Sequence, residues 1–258
     1  MDDEERIESR DAKNDVDCNR LPESLPIADS IPNEHACSYL EGRVANLPLK
    51  LPARPIRLDE FDAILASGFR RSGVFLYNTA CQKCSACEPS RVDVGKFVWK
   101  ESFLRVLKRG NRSVEIRVDL PSIDSDRLAL FNRHRLVRGL GEMDQEYQSN
   151  EYESFLVDSC CAETLEISFW SERTLIAVSI VDCGLNSLSA VYTYFEPAFS
   201  RLSLGTYSIL KQFEFAQKTD RQYVYLGMYV AENHHLSYKS RFVPQERWIG
   251  GRWLPFGL

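Results

Sequence analysis

Three cysteines recur at every third position, Cys81-x-x-Cys84-x-x-Cys87. That is the spacing of a metal knuckle or a cluster loop. Three thiolates are one short of a closed tetrahedral site, and Cys37 is the best candidate for the fourth. Zinc or an iron–sulfur cluster is therefore the expected occupant, with reduced thiols as the alternative. Cys160, Cys161 and Cys183 lie outside the group and read as ordinary buried or half-buried thiols. A second place suited to chemistry is Leu188–Gln217. Its first eight residues are largely apolar or aromatic on both alternating faces, with Tyr192 and Tyr194 on one and Val191 and Phe195 on the other. A strand of that kind belongs inside a sheet. Glu196-Pro197 ends it, because proline has no N–H for a ladder. Ser203-Leu-Gly-Thr then opens a helix, with Ser203 as N-cap, and Gly205 and Thr206 in the first turn let a ligand oxygen reach free amides.

The elements that must hold these groups can be read from periodicity. Helices are expected over Leu58–Ser67, Lys100–Lys108, Ile123–Val137, Glu151–Asp158, the stretch after Ser203, and His235–Ser240. Strands are expected over Leu47–Leu51, Val74–Tyr77, Val114–Val118, Leu165–Trp170, Leu175–Asp182, Leu188–Phe195 and Tyr223–Leu226. Short polar turns join the three consecutive strands from Leu165 to Phe195, so they should run antiparallel. His134 falls on an apolar helix face and reads as a hydrogen-bonded core histidine. His234 and His235 precede a helix, where they can cap it or face solvent.

The 258 residues carry 32 basic and 37 acidic side chains, a net charge of −5. The acidity is uneven. Residues 1–36 hold eleven acidic and four basic groups, together with Pro22, Pro26 and Pro32, so this segment is expected to be a disordered acidic tail. The remainder is close to neutral, which neither supports nor excludes an RNA partner. Lys100, Arg105, Lys108, Arg109, Arg112 and Arg117 form a basic group that can follow an RNA backbone, although a solvated face is the usual reason for such a run. No apolar run approaches the ~20 residues that span a bilayer. With eight cysteines in no disulfide-framework spacing, a cytoplasmic protein without a membrane partner is expected.

The order of elements resembles the GNAT superfamily of acyltransferases. The implied fold is α+β, with a mixed, largely antiparallel central sheet preceded by a smaller cysteine-containing N-terminal region. The expected division is a tail over 1–36, an N-terminal unit over 37–110 and a C-terminal GNAT-like unit over 111–258. The turn before Gly205 is only a degraded form of that fold's glycine-rich loop, which counts against an acetyltransferase using coenzyme A. Ordered short blocks carry a more specific resemblance. Cys37-Ser-Tyr-Leu-Glu-Gly-Arg, Gly68-Phe-Arg-Arg-Ser-Gly, the cysteine group, Ser189-Ala-Val-Tyr-Thr, Ser203-Leu-Gly-Thr, Tyr223-Val-Tyr-Leu-Gly, Tyr238-Lys and Gly251-Arg-Trp come in sequence. Together they resemble the bacterial aminoacyl-tRNA–protein transferases, the aspartate/glutamate leucyltransferases related to arginyltransferases.

The resemblance implies transfer of leucine from Leu-tRNA to the α-amine of proteins that begin with Asp or Glu, marking them for degradation by the N-end rule. The partners are then aminoacyl-tRNA and those proteins. Arginine is the alternative donor, and a metal-stabilised RNA-binding or redox-sensing protein without transfer activity is a further one. No cofactor is required for transfer, because the ester is already activated. The resemblance also suggests roles for residues. Glu196 would orient the amine or accept its proton, and amides near Gly205 and Thr206 would stabilise the oxyanion. Arg70 or Arg71 would pair with the acceptor's carboxylate, the other making a structural ion pair. Tyr192, Tyr238 and Lys239 would bind substrate, Lys239 facing the tRNA end. The segment Ala231-Glu-Asn-His-His-Leu departs from the family pattern, which usually has glycine and basic residues there.

Overall fold

A computed structural model describes residues 21, 25–140 and 146–257. In chain order its strands are β1 (Ile27–Ile31), β2 (Glu34–Ala36), β3 (Val44–Asn46), β4 (Leu49–Pro52), β5 (Arg70–Ser72), β6 (Phe75–Tyr77) and β7 (Glu88–Asp93). They continue as β8 (Glu115–Asp119), β9 (Thr164–Ser171), β10 (Thr174–Cys183), β11 (Ser187–Phe195), β12 (Tyr223–Tyr229), β13 (Gln245–Ile249) and β14 (Arg252–Phe256). The helices are α1 (Leu58–Ala66), α2 (Glu101–Gly110), α3 (Ser125–Arg138), α4 (Ser149–Tyr152), α5 (Leu204–Lys218) and α6 (His234–Ser237). Helix α4 runs on into a π turn over Glu153–Val157, and 3-10 turns cover Pro197–Leu202 and Tyr238–Arg241.

The fold is α+β around an eight-stranded sheet in the order β14-β13-β7-β12-β11-β10-β9-β8. Every neighbouring pair is antiparallel except β11 and β12. The three-strand run β9–β10–β11 pairs as its short polar turns require. Strand β10 is buried from Leu175 to Cys183, which is the pattern of a strand covered on both faces. On one side α5 sets Ile209, Leu210, Phe213 and Ala216 into the main core, against Phe169, Val181 and Leu188. On another, Leu130 and Phe131 of α3 pack with Tyr152 and Tyr194, whose hydroxyls meet at 2.6 Å.

A smaller sheet in the order β1-β4-β6-β5 holds the N-terminal region. Here the structure departs from the expected tail. Ile27–Ile31 pairs antiparallel with Leu49–Pro52, and Leu25 is buried beside Ile56 and Phe61. A few apolar residues placed against an existing core are enough to order a segment whose average composition is polar. The tail's residues 1–20 and 22–24 lie outside the described residues. The main sheet also crosses the expected boundary at residue 110. Strand β7 comes from the N-terminal half, yet it sits between β12 and β13.

Candidate active site

Two arginines that are adjacent in sequence go to opposite places, as alternation along β5 demands. Arg71 turns inward. Its Nε donates to Asp182 Oδ2 at 2.7 Å and its Nη1 to the Gly73 and Asp158 carbonyls at 3.0 and 2.9 Å. Both partners of the ion pair are at most 1% exposed along the side chain. Arg71 is therefore the structural ion pair of the two. Arg70 lies over the ring of Tyr225, 5.1 Å from its centroid, and Nη1 donates to the Phe69 carbonyl at 2.7 Å. Among the described residues, its buried Nε and Nη2 have no hydrogen-bond partner. Burial pulls the guanidinium down to about 10, with Tyr225 and Tyr77 opposing that pull. A buried cation with free donors is costly and is relieved by an anion.

Lys239 is close to Arg70. Its side chain is buried rather than turned towards solvent, and Nζ donates to the Met228 carbonyl at 2.7 Å. Burial and the Arg70 charge bring its amine down to about 7. Contact with a tRNA end is thus limited to whatever part of it enters the interior. Tyr238 packs its ring edge-on against Phe242, with centroids 6.3 Å apart, and burial pushes its hydroxyl up to about 12. Tyr192 packs against Phe131 and Phe155, and burial raises its pKa too. Both tyrosines are fixed by packing.

The end of β11 is organised differently from the expectation. Glu196 Oε2 accepts from Arg133 Nε at 2.6 Å, while Oε1 accepts from the Ala198 amide at 3.2 Å. It caps the 3-10 turn as well as forming an ion pair. Ser203 adopts a left-handed conformation (φ 52°) and makes no side-chain cap at α5. The Thr206 and Tyr207 amides both donate to the Ser203 carbonyl at 2.9 Å. Among the described residues, that leaves the amides of Leu204 and Gly205 free at the helix start, so the expected Thr206 amide is already in use. A Cβ on Gly205 would lie 3.2 Å from the Phe195 ring, which pins the helix start to the strand end.

His134 sits directly behind this strand end, 2% exposed, with Nδ1 2.9 Å from the Phe195 carbonyl and 3.1 Å from its amide. Burial, the largest influence, pushes its pKa down to about 4 despite the bond to Phe195. The imidazole is neutral in the folded chain, whereas the unfolded chain binds a proton below the usual value near 6.5. Unfolding free energy should therefore fall as pH drops from about 6.5 to about 4, by at most roughly 1.4 kcal/mol per pH unit. Urea titrations of wild type and His134→Asn at pH 7 and pH 5 test this. The variant should lose less stability on acidification, and an equal loss in both would refute it.

Cys37, Cys81, Cys84 and Cys87 line one cavity together with Tyr39, Leu40, Arg43 and Leu47. Burial, then the three other cysteines, pushes the Cys87 thiol up to about 12. Cys81 Sγ accepts from the Asn46 amide at 3.3 Å. Among the described residues, however, no three His, Cys, Asp or Glu side chains are grouped closely enough to hold a metal ion. The arrangement thus gathers the expected four thiols around one space without making a ligand set of them. Tyr77 links this cavity to the arginine site, since both Arg70 and Cys87 act on its hydroxyl. Cys160, Cys161 and Cys183 are buried free thiols.

The basic residues Lys100, Arg105, Lys108, Arg109 and Arg112 are exposed along and just after α2. Arg109 also donates to the Arg201 carbonyl, which ties α2 to the turn before α5. Arg117 pairs with Glu115 at 2.8 Å and stacks on Trp170. His235 Nδ1 lies 2.7 Å from Arg138 Nη2, and Asn233 rather than a histidine caps α6. Besides the short strands β1, β2, β3 and β5, the periodicity did not reveal strand β7, which lies inside the main sheet. Its only signal was Val92 and Val94 at alternate positions, masked by Pro89 and Arg91.

Residues 35–105 match the family model described as the arginine-tRNA-protein transferase N terminus, and residues 126–249 match its C terminus. The chain belongs to this transferase family. An aspartate/glutamate leucyltransferase from Thiobacillus denitrificans is 34% identical over 85% of this chain and 91% of the relative. Another from Saccharophagus degradans is 37% identical over 86% of this chain and 94% of the relative. Both matches run through the family's two halves, joined here by β7. Among solved structures, the C-terminal domain of a lysylphosphatidylglycerol synthetase from Agrobacterium fabrum aligns with a TM-score of 0.48 at 13% identity. That match covers 75% of this chain and 62% of the other, too weak a likeness to carry weight.

Proposed function

We propose that the chain transfers leucine from Leu-tRNA to the N-terminal α-amine of proteins beginning with Asp or Glu. Family membership and the names of the relatives support the reaction class. The observation that carries the acceptor side is Arg70, a buried guanidinium with Nε and Nη2 unpartnered. A carboxylate fits that fork in bidentate geometry, and a neutral amide cannot replace its charge. Leucine is preferred over arginine as donor because relatives at 34% and 37% identity are named aspartate/glutamate leucyltransferases. Glu196, at the end of β11, is already held by Arg133 and the Ala198 amide.

The GNAT-like reading of the fold belongs to the same proposal. It rests on the single parallel pair, β11 with β12, whose first strand leads through a turn into α5. In that reading the ester carbonyl lies at the start of α5, where the free Leu204 and Gly205 amides stabilise the oxyanion as the amine attacks. Loss of one such donor typically costs 10²–10³-fold in rate. The exposed basic residues of α2 would follow the tRNA backbone. Chemistry on tRNA and free thiols support a cytoplasmic location.

The test is acceptor choice. Arg70→Met should lower transfer to an Asp-initiated peptide at limiting peptide by about 100-fold, the scale of a lost charge-assisted pair. Transfer to the matching Asn-initiated peptide should change little, so the preference for Asp collapses. A variant that folds and still prefers Asp over Asn by the wild-type margin would remove Arg70 from the acceptor site.

A further inference from the structure

Lys239 occupies the opening between β11 and β12. These two strands are paired only from Ser187 to Ser189 and from Tyr223 to Tyr225, after which they part. Beyond the parting, a methyl group built on Gly227 would have two neighbours within 4 Å, Lys239 Nζ at 3.5 Å and the Ala190 carbonyl at 3.8 Å. Nζ therefore lies against Gly227 on the side of the strand where a side chain there would also meet Ala190 of β11. The φ of +79° at Gly227 disfavours any such side chain. Among the described residues the amine has one hydrogen bond, to the Met228 carbonyl.

The titratable groups on the flanking strands leave this amine without a counter-ion. Strand β5 presents Arg70, whose charge opposes a second one nearby, and β12 presents Tyr225 beneath Arg70. On β13 and β7, Arg247 pairs with Glu88 at 3.2 Å and Arg91 with Glu246 at 2.6 Å, so those carboxylates are taken. The result is an amine with a pKa brought down to about 7, partly uncharged at neutral pH, where an ordinary lysine is charged.

We propose that Lys239 is the catalytic residue that takes the proton from the acceptor's α-ammonium. The inference rests on the reading of Arg70 above. In an N-terminal Asp, only two carbon atoms separate the amine from the carboxyl carbon. A carboxylate held on Arg70 therefore brings the ammonium to the amine beside it. The lone pair of Lys239 Nζ accepts one ammonium proton. The freed amine attacks the ester carbonyl carbon, forming the C–N bond, and the C–O bond to the ribose breaks. The lysine ammonium returns its proton to the departing ribose oxygen, and the nitrogen's remaining extra proton goes to solvent. One proton is released for each amide formed.

Single-turnover transfer from labelled Leu-tRNA to an Asp-initiated peptide, measured from pH 5.5 to 9, tests this. The wild-type rate should rise about tenfold per pH unit and level off near 7. Lys239→Met and Lys239→Arg should each be at least 100-fold slower at pH 7. Their residual rates should keep rising to about pH 8, where the α-amine itself ionises. Thermal melts and Leu-tRNA binding show whether each variant is folded. A Lys239→Arg protein with the wild-type rate and profile would mean that the charge, not the proton, matters. A slow variant that still levels near 7 would mean a structural role. If neither variant folds, the wild-type profile decides, and a rate still climbing through pH 8 overturns the proposal. Failure of the Arg70 reading is seen separately, as an unchanged Asp-over-Asn preference.

Discussion

Asp182→Ala should destabilise the protein by about 3–5 kcal/mol, because it leaves the Arg71 guanidinium buried with no counter-charge. Total stabilities of about 5–15 kcal/mol make this a large fraction of what holds the chain folded. The geometry explains the size of the effect. Both side chains are excluded from water, the ion pair is 2.7 Å long, and Thr164 Oγ1 donates to the other carboxylate oxygen at 2.7 Å. The pair also joins the small sheet to β10 across 111 residues. Urea denaturation gives the measurement. Arg71→Met alone should be comparably harmful, while Arg71→Met with Asp182→Leu should recover much of the loss, since it removes both charges together. A single variant costing under ~1 kcal/mol would show that the pair is dispensable.

A second large effect is expected at Gly110, the last residue of α2. A Cβ there would lie 2.3–2.6 Å from three atoms of the Tyr207 ring. Tyr207 is fully buried at the first turn of α5, and its hydroxyl donates to Asn111 Oδ1 at 2.8 Å. The ring has nowhere to go without breaking that bond or tilting α5. Gly110→Ala should therefore cost at the upper end of the ~1–3 kcal/mol typical of overpacking. It should also slow transfer, because the turn that moves is the one carrying Leu204 and Gly205. Stability and single-turnover rate should fall together. A stable variant with full activity would show that α2 and α5 are not rigidly coupled.

The sequence made the three-strand run from Thr164 to Phe195 and helices α1, α2, α3 and α5 legible, because each has a clear period and punctuated ends. Strand β7 was not. Pro89 and the charged Glu88 and Arg91 argue against a central strand, and only distant partners make one of it. Arg91 finds Glu246 and stacks over Trp253 at 4.3 Å. At the site, sequence alone showed that two adjacent arginines could not both serve one ligand, but not which was free. Asp182, 111 residues away, decided that. Glu196 has the right type and place for catalysis, yet Arg133, contributed by another helix, occupies it. Lys239 was legible as a residue worth naming. Its burial was not, because a lysine in a short polar segment carries no sign of what will close over it.

The placement of β7 bears on how the chain is made. Arg91 leaves the ribosome some 155 residues before Glu246, with which it pairs in the finished sheet. Until β12 emerges β7 has neither of its neighbours, and until β13 follows one of its edges stays open. Pairing over such separations is slow, and unpaired edges in the interval invite association with other chains. The same charged residues and proline that hid this strand from sequence reading are the features that discourage such pairing. They keep β7 unattractive to strangers until β12 and β13 arrive to enclose it.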